Sequence, residues 1–165
     1  MSRSQRLALV LIMLFLFTGL DQLSKVYARK YLSGAPPITL LNDTIRIQYM
    51  ENHGATLGLG ANLPENVRFV IFVVLIGLVL VGAFAYLMLA HDLNTGATIG
   101  LSLVIAGGFG NLLDRVLNQG AAIDFLNLGI GSLRTGVFNL ADVVVYAGIT
   151  LFLIFSLRTS HLPED

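Results

Sequence analysis

The chain has 165 residues, enough for one domain. It is 55% apolar and only 12% charged, with a mean hydropathy of +0.78, which excludes an ordinary soluble protein and points to an integral membrane one. Net charge is zero and no basic run is longer than Arg29-Lys30, which argues against nucleic acid as a partner; the absence of cysteine rules out disulfides, thiolate metal sites and a cysteine nucleophile.

A helix of about 20 apolar residues crosses a hydrocarbon core. Four segments have that length and character, at about 7–28, 67–90, 97–117 and 139–158. The first resembles a secretory signal peptide, with Arg3 and Arg6 ahead of an apolar run from Leu7 to Phe17. No clear small-x-small site follows and three further spans do, so it is read as a retained span. Residues 31–66 hold three of the four prolines and an alternating stretch, Thr44 to Met50, that predicts a small β-rich cap. Ile45, Ile47 and Tyr49 are expected on one face, Gly54, Gly58 and Gly60 in tight turns, and the whole cap at the membrane interface. Val67 to Ala90 is the least ambiguous span, and the short link 91–96 makes it an antiparallel neighbour of the third. The connection 118–138 is Gly-rich and places Asp124 within it or at a helix edge. Gly77, Gly82, Gly107, Gly108 and Gly110 are expected at close helix contacts. Phe69, Phe72, Phe84 and Tyr86 should face lipid or pack, and Tyr27 and Tyr31 suit the interfacial belt. The whole chain reads as a single membrane domain with both termini on one side, although Lys and Arg are commoner on the other.

An aspartate at mid-membrane costs roughly 2.5–3.5 kcal/mol on insertion scales, so those beside these spans demand an explanation. Asp21 and Lys25, four apart on a helix, read as a local ion pair. Asn111, Asp114 and Arg115 share a turn, which predicts that Arg115 neutralises Asp114. Asn139 and Asp142 share another. Asp124 and Asp142 have no basic residue within four positions. They either cap helices or partner each other, in which case a shared proton makes one an acid and the other a base, as in aspartic proteases. His53, His91 and His161 are scattered, which speaks against zinc.

Taken together, Asp21-Gln-x-Ser-Lys25, Asn52-x-Gly-Ala55, Gly107-Gly-x-Gly-Asn-x-x-Asp-Arg115, Ile123-Asp-Phe125 and Phe138-Asn-x-Ala-Asp142 resemble the bacterial lipoprotein signal peptidase family, in order and at its spacing. The resemblance implies an aspartyl endopeptidase of the inner membrane with four transmembrane helices and a periplasmic β-cradle. Such an enzyme cuts diacylglyceryl-modified prolipoproteins immediately before the lipid-bearing cysteine. It further implies Asp124 and Asp142 as the catalytic pair, supported by Asp21, Lys25, Asn52, Gly54, Asn111, Asp114, Arg115 and Asn139. The expected enzyme is a monomer without metal or organic cofactor, with substrate and membrane lipid as partners, cytoplasmic termini, and its site near the periplasmic face. Where the family usually continues Gly-Ala-Ala-Phe, this chain has Gly54-Ala55-Thr56-Leu57, a departure that would alter how the cradle fits substrate. A proton-coupled transporter is the competing class, disfavoured by the absence of a repeat and by motifs lying towards helix ends. A lipoprotein-binding protein without catalysis is another, disfavoured by the presence of both dyad aspartates.

Overall fold

The computed structural model describes residues 1–55 and 59–159; Thr56, Leu57, Gly58 and His161 lie outside them, and with them the departure in the cradle motif. Among the described residues, four helices are long and apolar enough to cross a membrane: α1 (Arg3–Leu32), α2 (Glu65–Leu89), α3 (Thr95–Leu117) and α4 (Leu140–Thr159, its apolar span Leu140–Leu157). α1 runs beyond the predicted 7–28 at both ends, and α2 and α3 start before 67 and 97, while α2 ends at Leu89 and α4 begins at Leu140, just inside the predicted bounds. Ser2 starts α1 with a reciprocal capping box, its Oγ accepting from the Gln5 backbone N (3.3 Å) while Gln5 Oε1 accepts from Ser2 N (2.9 Å). Asn94 caps α3 through Oδ1, which accepts from Ala97 N at 2.8 Å. Five residues of α1, Leu14–Thr18, and six of α2, Val70–Leu75, run as π-helix.

Arg6, buried at 4% exposure, donates to the carbonyl of Leu87 (3.1 Å) and to that of Ala90. These are carbonyls left unpaired at the end of α2, so a cation at the negative pole of that helix closes it.

Helix α3 is the buried centre of the bundle, and α4 lies against it through glycine. A Cβ on Gly100 would stand 2.5 Å from the Phe152 nitrogen, one on Gly148 2.7 Å from the Gly100 carbonyl oxygen, and one on Gly107 2.6 Å from the Ala141 carbonyl oxygen. Backbone on both sides leaves nothing to give way. Gly148→Leu is therefore expected to push α4 off α3 and lower stability by about 1–3 kcal/mol, read as a drop in the unfolding midpoint of purified protein. The expectation for Gly107, Gly108 and Gly110 holds, since a Cβ on each would meet an atom within 2.7 Å. It does not hold for Gly82, which has nothing within 4 Å, or for Gly77, whose nearest neighbour is a leucine methyl at 3.8 Å.

Four antiparallel strands form one sheet in the order β1 (Ile38–Leu40), β2 (Ile45–Asn52), β3 (Ala122–Ile130), β4 (Leu133–Arg134). The alternation around Thr44 predicts β2, but half the sheet comes from the second long connection, which reads as loop because its glycines dominate the pattern. Register places Ile45, Ile47, Leu126 and Leu128 on one face, and Arg46 and Asn127 on the other. Between Ile47 and Met50 the register slips, three steps on β2 matching two on β3. This bulge reverses the alternation. Tyr49, expected beside Ile45 and Ile47, turns instead to the face of Glu51, to which its hydroxyl donates at 2.8 Å. Met50 and Asn52 take its place, on the face that carries Asp124.

Candidate active site

Lys25 is the hub of a buried ion cluster. Its Nζ lies 2.7 Å from Asp21 Oδ2, 2.8 Å from Asp114 Oδ2 and 3.0 Å from Asn111 Oδ1, and all three charged side chains are almost wholly excluded from solvent. The predicted ion pair between Asp21 and Lys25 is present but has a third member. The predicted pairing of Asp114 with Arg115 is not found: adjacent residues on a helix point about 100° apart, so Asp114 faces α1 while Arg115 turns towards the cap. Two carboxylates against one ammonium leave a deficit that neutral donors fill. Asp21 Oδ1 accepts from the Ala141 backbone N (2.9 Å), Asp114 Oδ2 from Ile123 N (3.0 Å) and Asp114 Oδ1 from Gln22 Nε2 (2.9 Å). The Ala141 bond places Asp21 at the positive pole of α4. Gly110 is required here, because its Cβ would lie 2.7 Å from Asp21 Oδ2. One cluster thus binds α1, α3, the start of β3 and the start of α4. Gln22, which sequence reasoning left without a role, is part of it, and its position beside Asp21 in the motif was the available signal.

The second layer is made of amides. Asn139 caps α4, its Oδ1 accepting from Asp142 N (3.0 Å) while Asp142 Oδ2 accepts from Asn139 N (3.1 Å). The Asn139 side-chain nitrogen meanwhile donates to Asp124 Oδ1 at 2.6 Å, so one residue braces both aspartates. Asn52 Nδ2 donates to Asp124 Oδ2 (2.9 Å) from the diagonal position across the bulged ladder, and Asn111 Nδ2 to Asp142 Oδ1 (2.8 Å). The acceptor oxygen of Asn111 is taken up by Lys25 and by Asn139 Nδ2 (2.9 Å), which leaves its amide nitrogen to face Asp142. Of the helix-cap alternative, Asp142 fits, lying in the first turn of α4; Asp124 does not, since it sits within β3. The two carboxyls meet through Asn139, and no direct hydrogen bond joins them among the described residues.

Asp124 is 2% exposed. Burial pushes its carboxyl up to about 6, with the Asp142 charge adding to the rise and the Asn52 and Asn139 hydrogen bonds opposing it. Arg115 lies behind, with Nη2 donating to the Gly54 carbonyl (2.8 Å), Nη1 to the Asn111 carbonyl (3.2 Å), and its guanidinium 5.6 Å from the centre of the buried Phe72 ring. Gly54 is held on its other side, its N donating to Asn52 Oδ1 at 2.9 Å. Arg115 thereby ties the Asn52 to Gly54 turn to α3.

A cavity of about 830 Å³ opens on this constellation. Asn52, Asn111, Arg115, Asp124 and Asp142 line its polar end, and Leu128, Val143, Tyr146 and Leu151 carry it along the outer side of α4. Asp21, Lys25 and Asp114 lie behind it and do not line it, and neither do Gly54 and Asn139. A second cavity of about 960 Å³, between α1, α2 and α3, is lined by apolar side chains such as Phe15, Leu80 and Phe109, with Thr18 and Gln22 as its polar members. It contains no carboxylate. An apolar trough ending in two amide-held carboxyls can seat an apolar chain beside two groups able to give or take a proton.

The family model for signal peptidase (SPase) II matches residues 12–158. A lipoprotein signal peptidase of Borrelia hermsii is 34% identical over 159 residues, covering 93% of this chain and 92% of its own, and one of Clostridioides difficile is 33% identical, covering 90% and 95%. A solved structure described as a bacterial membrane enzyme, determined by the in meso method at 2.3 Å resolution, superposes with a TM-score of 0.77 at 22% identity, covering 94% of this chain and 92% of that one. The last likeness speaks to the fold, the others to lineage. On these matches the chain belongs to the signal peptidase II family and is a membrane-spanning lipoprotein signal peptidase, a hydrolase.

Proposed function

We propose that Asp124 and Asp142 are the catalytic dyad of this peptidase, and that it cuts diacylglyceryl-modified prolipoproteins immediately before the lipidated cysteine. The observation that carries this reading is that both carboxyls line one cavity, are braced by the same Asn139 and, among the described residues, receive hydrogen bonds from amides alone. Amide donors orient a carboxylate without neutralising it. A lysine or arginine in their place would hold both carboxyls ionised and remove the shared proton that the chemistry needs.

With one proton between them, the ionised member takes a proton from a water molecule as its oxygen attacks the scissile carbonyl carbon. The protonated member donates to the carbonyl oxygen; as the tetrahedral intermediate collapses and the peptide C–N bond breaks, the proton taken from water passes to the leaving amine and a hydroxyl proton of the intermediate returns to the other carboxyl. Asn111 and Asn52 keep the two carboxyls in place through this exchange. Arg115 is a positioning residue, holding the Asn52 turn to α3. Arg115→Ala is expected to slow cleavage by about 10²-fold with the dyad present, measured as turnover of purified protein, since small misplacements near the reacting atoms carry costs of that size.

The substrate enters sideways from the bilayer, because its acyl chains would lose about 0.8 kcal/mol per CH₂ if drawn into water. The protein works as a monomer in the bacterial inner membrane, with its site at the periplasmic end and both termini in the cytoplasm. The excess of basic residues on the side away from the termini is compatible with that orientation, for Lys25, Arg46, Arg115 and Arg134 are all held by partners within the chain. Incubation of purified protein with a diacylglyceryl prolipoprotein and with its unlipidated form tests the specificity. The expected outcome, read by mass spectrometry, is a single product beginning at the lipidated cysteine and none from the unlipidated form. Equal cleavage of both, or a cut elsewhere, overturns it.

A further inference from the structure

Beyond β4 the chain stays alongside β3. Thr135 N donates to the Leu128 carbonyl at 2.7 Å, and Phe138 forms a bridge with Leu126, giving its N–H to the Leu126 carbonyl (2.8 Å) and accepting from Leu126 N on its own carbonyl (2.8 Å). From Thr135 to Phe138 is three steps and from Leu128 to Leu126 two, so Gly136 and Val137 stand together opposite Asn127. Asn127 answers with its side chain, Nδ2 donating to the carbonyls of Thr135 (2.6 Å) and Gly136 (3.4 Å). Among the described residues, nothing meets the N–H or the carbonyl of Val137, nor the N–H of Gly136.

Thr135, Gly136, Val137 and Phe138 line the cavity at the dyad one after another, with Val137 half-buried. Neighbouring residues of a ladder turn their backbone groups to opposite sides, so with Phe138 committed to β3 the N–H and carbonyl of Val137 look away from it. Unpaired backbone groups are costly where water is scarce, and this trough continues apolar along Val143, Ala147 and Leu151. An acyl chain has nothing to offer them. A donor and an acceptor on one residue match the acceptor and donor on one residue of an extended peptide, the exchange that joins a hydrogen-bonded pair in an antiparallel ladder.

We propose that Val137 is a substrate-binding residue through its backbone, its N–H and carbonyl pairing with one residue of the extended substrate, which adds as a strand beside residues 136–138. The inference rests on the reading that this cavity receives the prolipoprotein chain. Two residues span at most about 7 Å, and Asn139, two residues after Val137, braces both aspartates. The paired substrate residue therefore lies close to the bond to be cut. A contact made to the main chain holds substrate in register without reading its side chains. It is formed before the reaction and kept through it, so it bears on KM rather than on kcat.

In the full chain, Val137→α-hydroxyvaline turns the link between residues 136 and 137 into an ester, which lacks the N–H and keeps the side chain; valine inserted by the same route is the control. With a synthetic diacylglyceryl prolipoprotein peptide, this variant is expected to show KM raised about 10-fold, the size of one lost hydrogen bond, at an unchanged kcat. A parental KM overturns the proposal, and so does a fall in kcat alone, which would mean that the change acts through Asn139 on the dyad. In a second series the parent enzyme is given the same peptide with one amide flanking the cut replaced by an ester, each position in turn. The expected pattern is a raised KM at the position whose N–H meets the Val137 carbonyl and none at its immediate neighbours, whose N–H groups point the other way. No such position, or an equal effect at all of them, overturns the pairing even if the protein variant does not fold. A parent that leaves the amide peptide uncut overturns the functional reading and this inference with it, whereas normal cleavage with no change of KM in either series overturns this inference alone.

Discussion

Asp124→Asn and Asp142→Asn are each expected to lower turnover of a diacylglyceryl prolipoprotein by about 10³–10⁴-fold, the contribution of a positioned acid–base pair, while purified protein keeps its helical content. The double substitution should cost little more than either alone, because each removes the same shared proton. A loss that multiplied would show two independent roles and end the dyad reading. The pH profile follows from Asp124. Its carboxyl is raised to about 6, chiefly by burial, so on the free enzyme the proton is lost as pH rises through that range and kcat/KM declines on the alkaline side. Substrate seated in the cavity excludes more water and disfavours the ionised form further. The alkaline limb of kcat is therefore expected at higher pH than that of kcat/KM; coincident limbs would show that no such desolvation occurs.

Lys25→Met should produce the largest change in stability of any single substitution in the bundle, about 3–5 kcal/mol, the scale of breaking a buried ion pair from one side. Methionine replaces the aliphatic stem but leaves Asp21 and Asp114 facing each other across the space that a cation held at 2.7 and 2.8 Å. Denaturant unfolding in detergent measures the loss. Adding Asp114→Asn to Lys25→Met removes one of the two stranded charges and should recover part of it, a coupling that independent sites would not show. The cluster also bears on activity, since Lys25 occupies the oxygen of Asn111 and so turns its amide nitrogen to Asp142. Loss of turnover in Lys25→Met under conditions where the protein is still folded would reveal that contribution.

The four spans were legible because hydropathy over twenty residues is a strong signal, and β2 because alternation is. β3 and β4 were not. Gly129 and Gly131 read as loop, and nothing local shows that Asp124 pairs with Met50 across the sheet. The residues that the structure gathers around Lys25 and Asn139 were legible as a set through their motifs, and so was the pairing of Asp21 with Lys25, but Asp114 was given its neighbour in sequence where its partner is one in space. Arg115 adjoins Asp114 in the chain, but the cation that meets Asp114 comes from another helix. The bulge was hidden for the same reason. One extra residue in β2 changes no composition, and it decides whether Tyr49 or Asn52 shares the face of Asp124.

Asn139 caps α4 with its backbone and side-chain oxygen while its side-chain nitrogen holds Asp124. The helix cap and the contact to Asp124 therefore depend on one side chain. Fraying of the first turn of α4 would release Asp142 and take from Asp124 the Asn139 brace, leaving it the Asn52 hydrogen bond. Hydrogen exchange at the Asp142 amide then becomes a gauge of how often this turn opens. A ligand that fastens this turn would silence exchange there without touching the rest of the bundle.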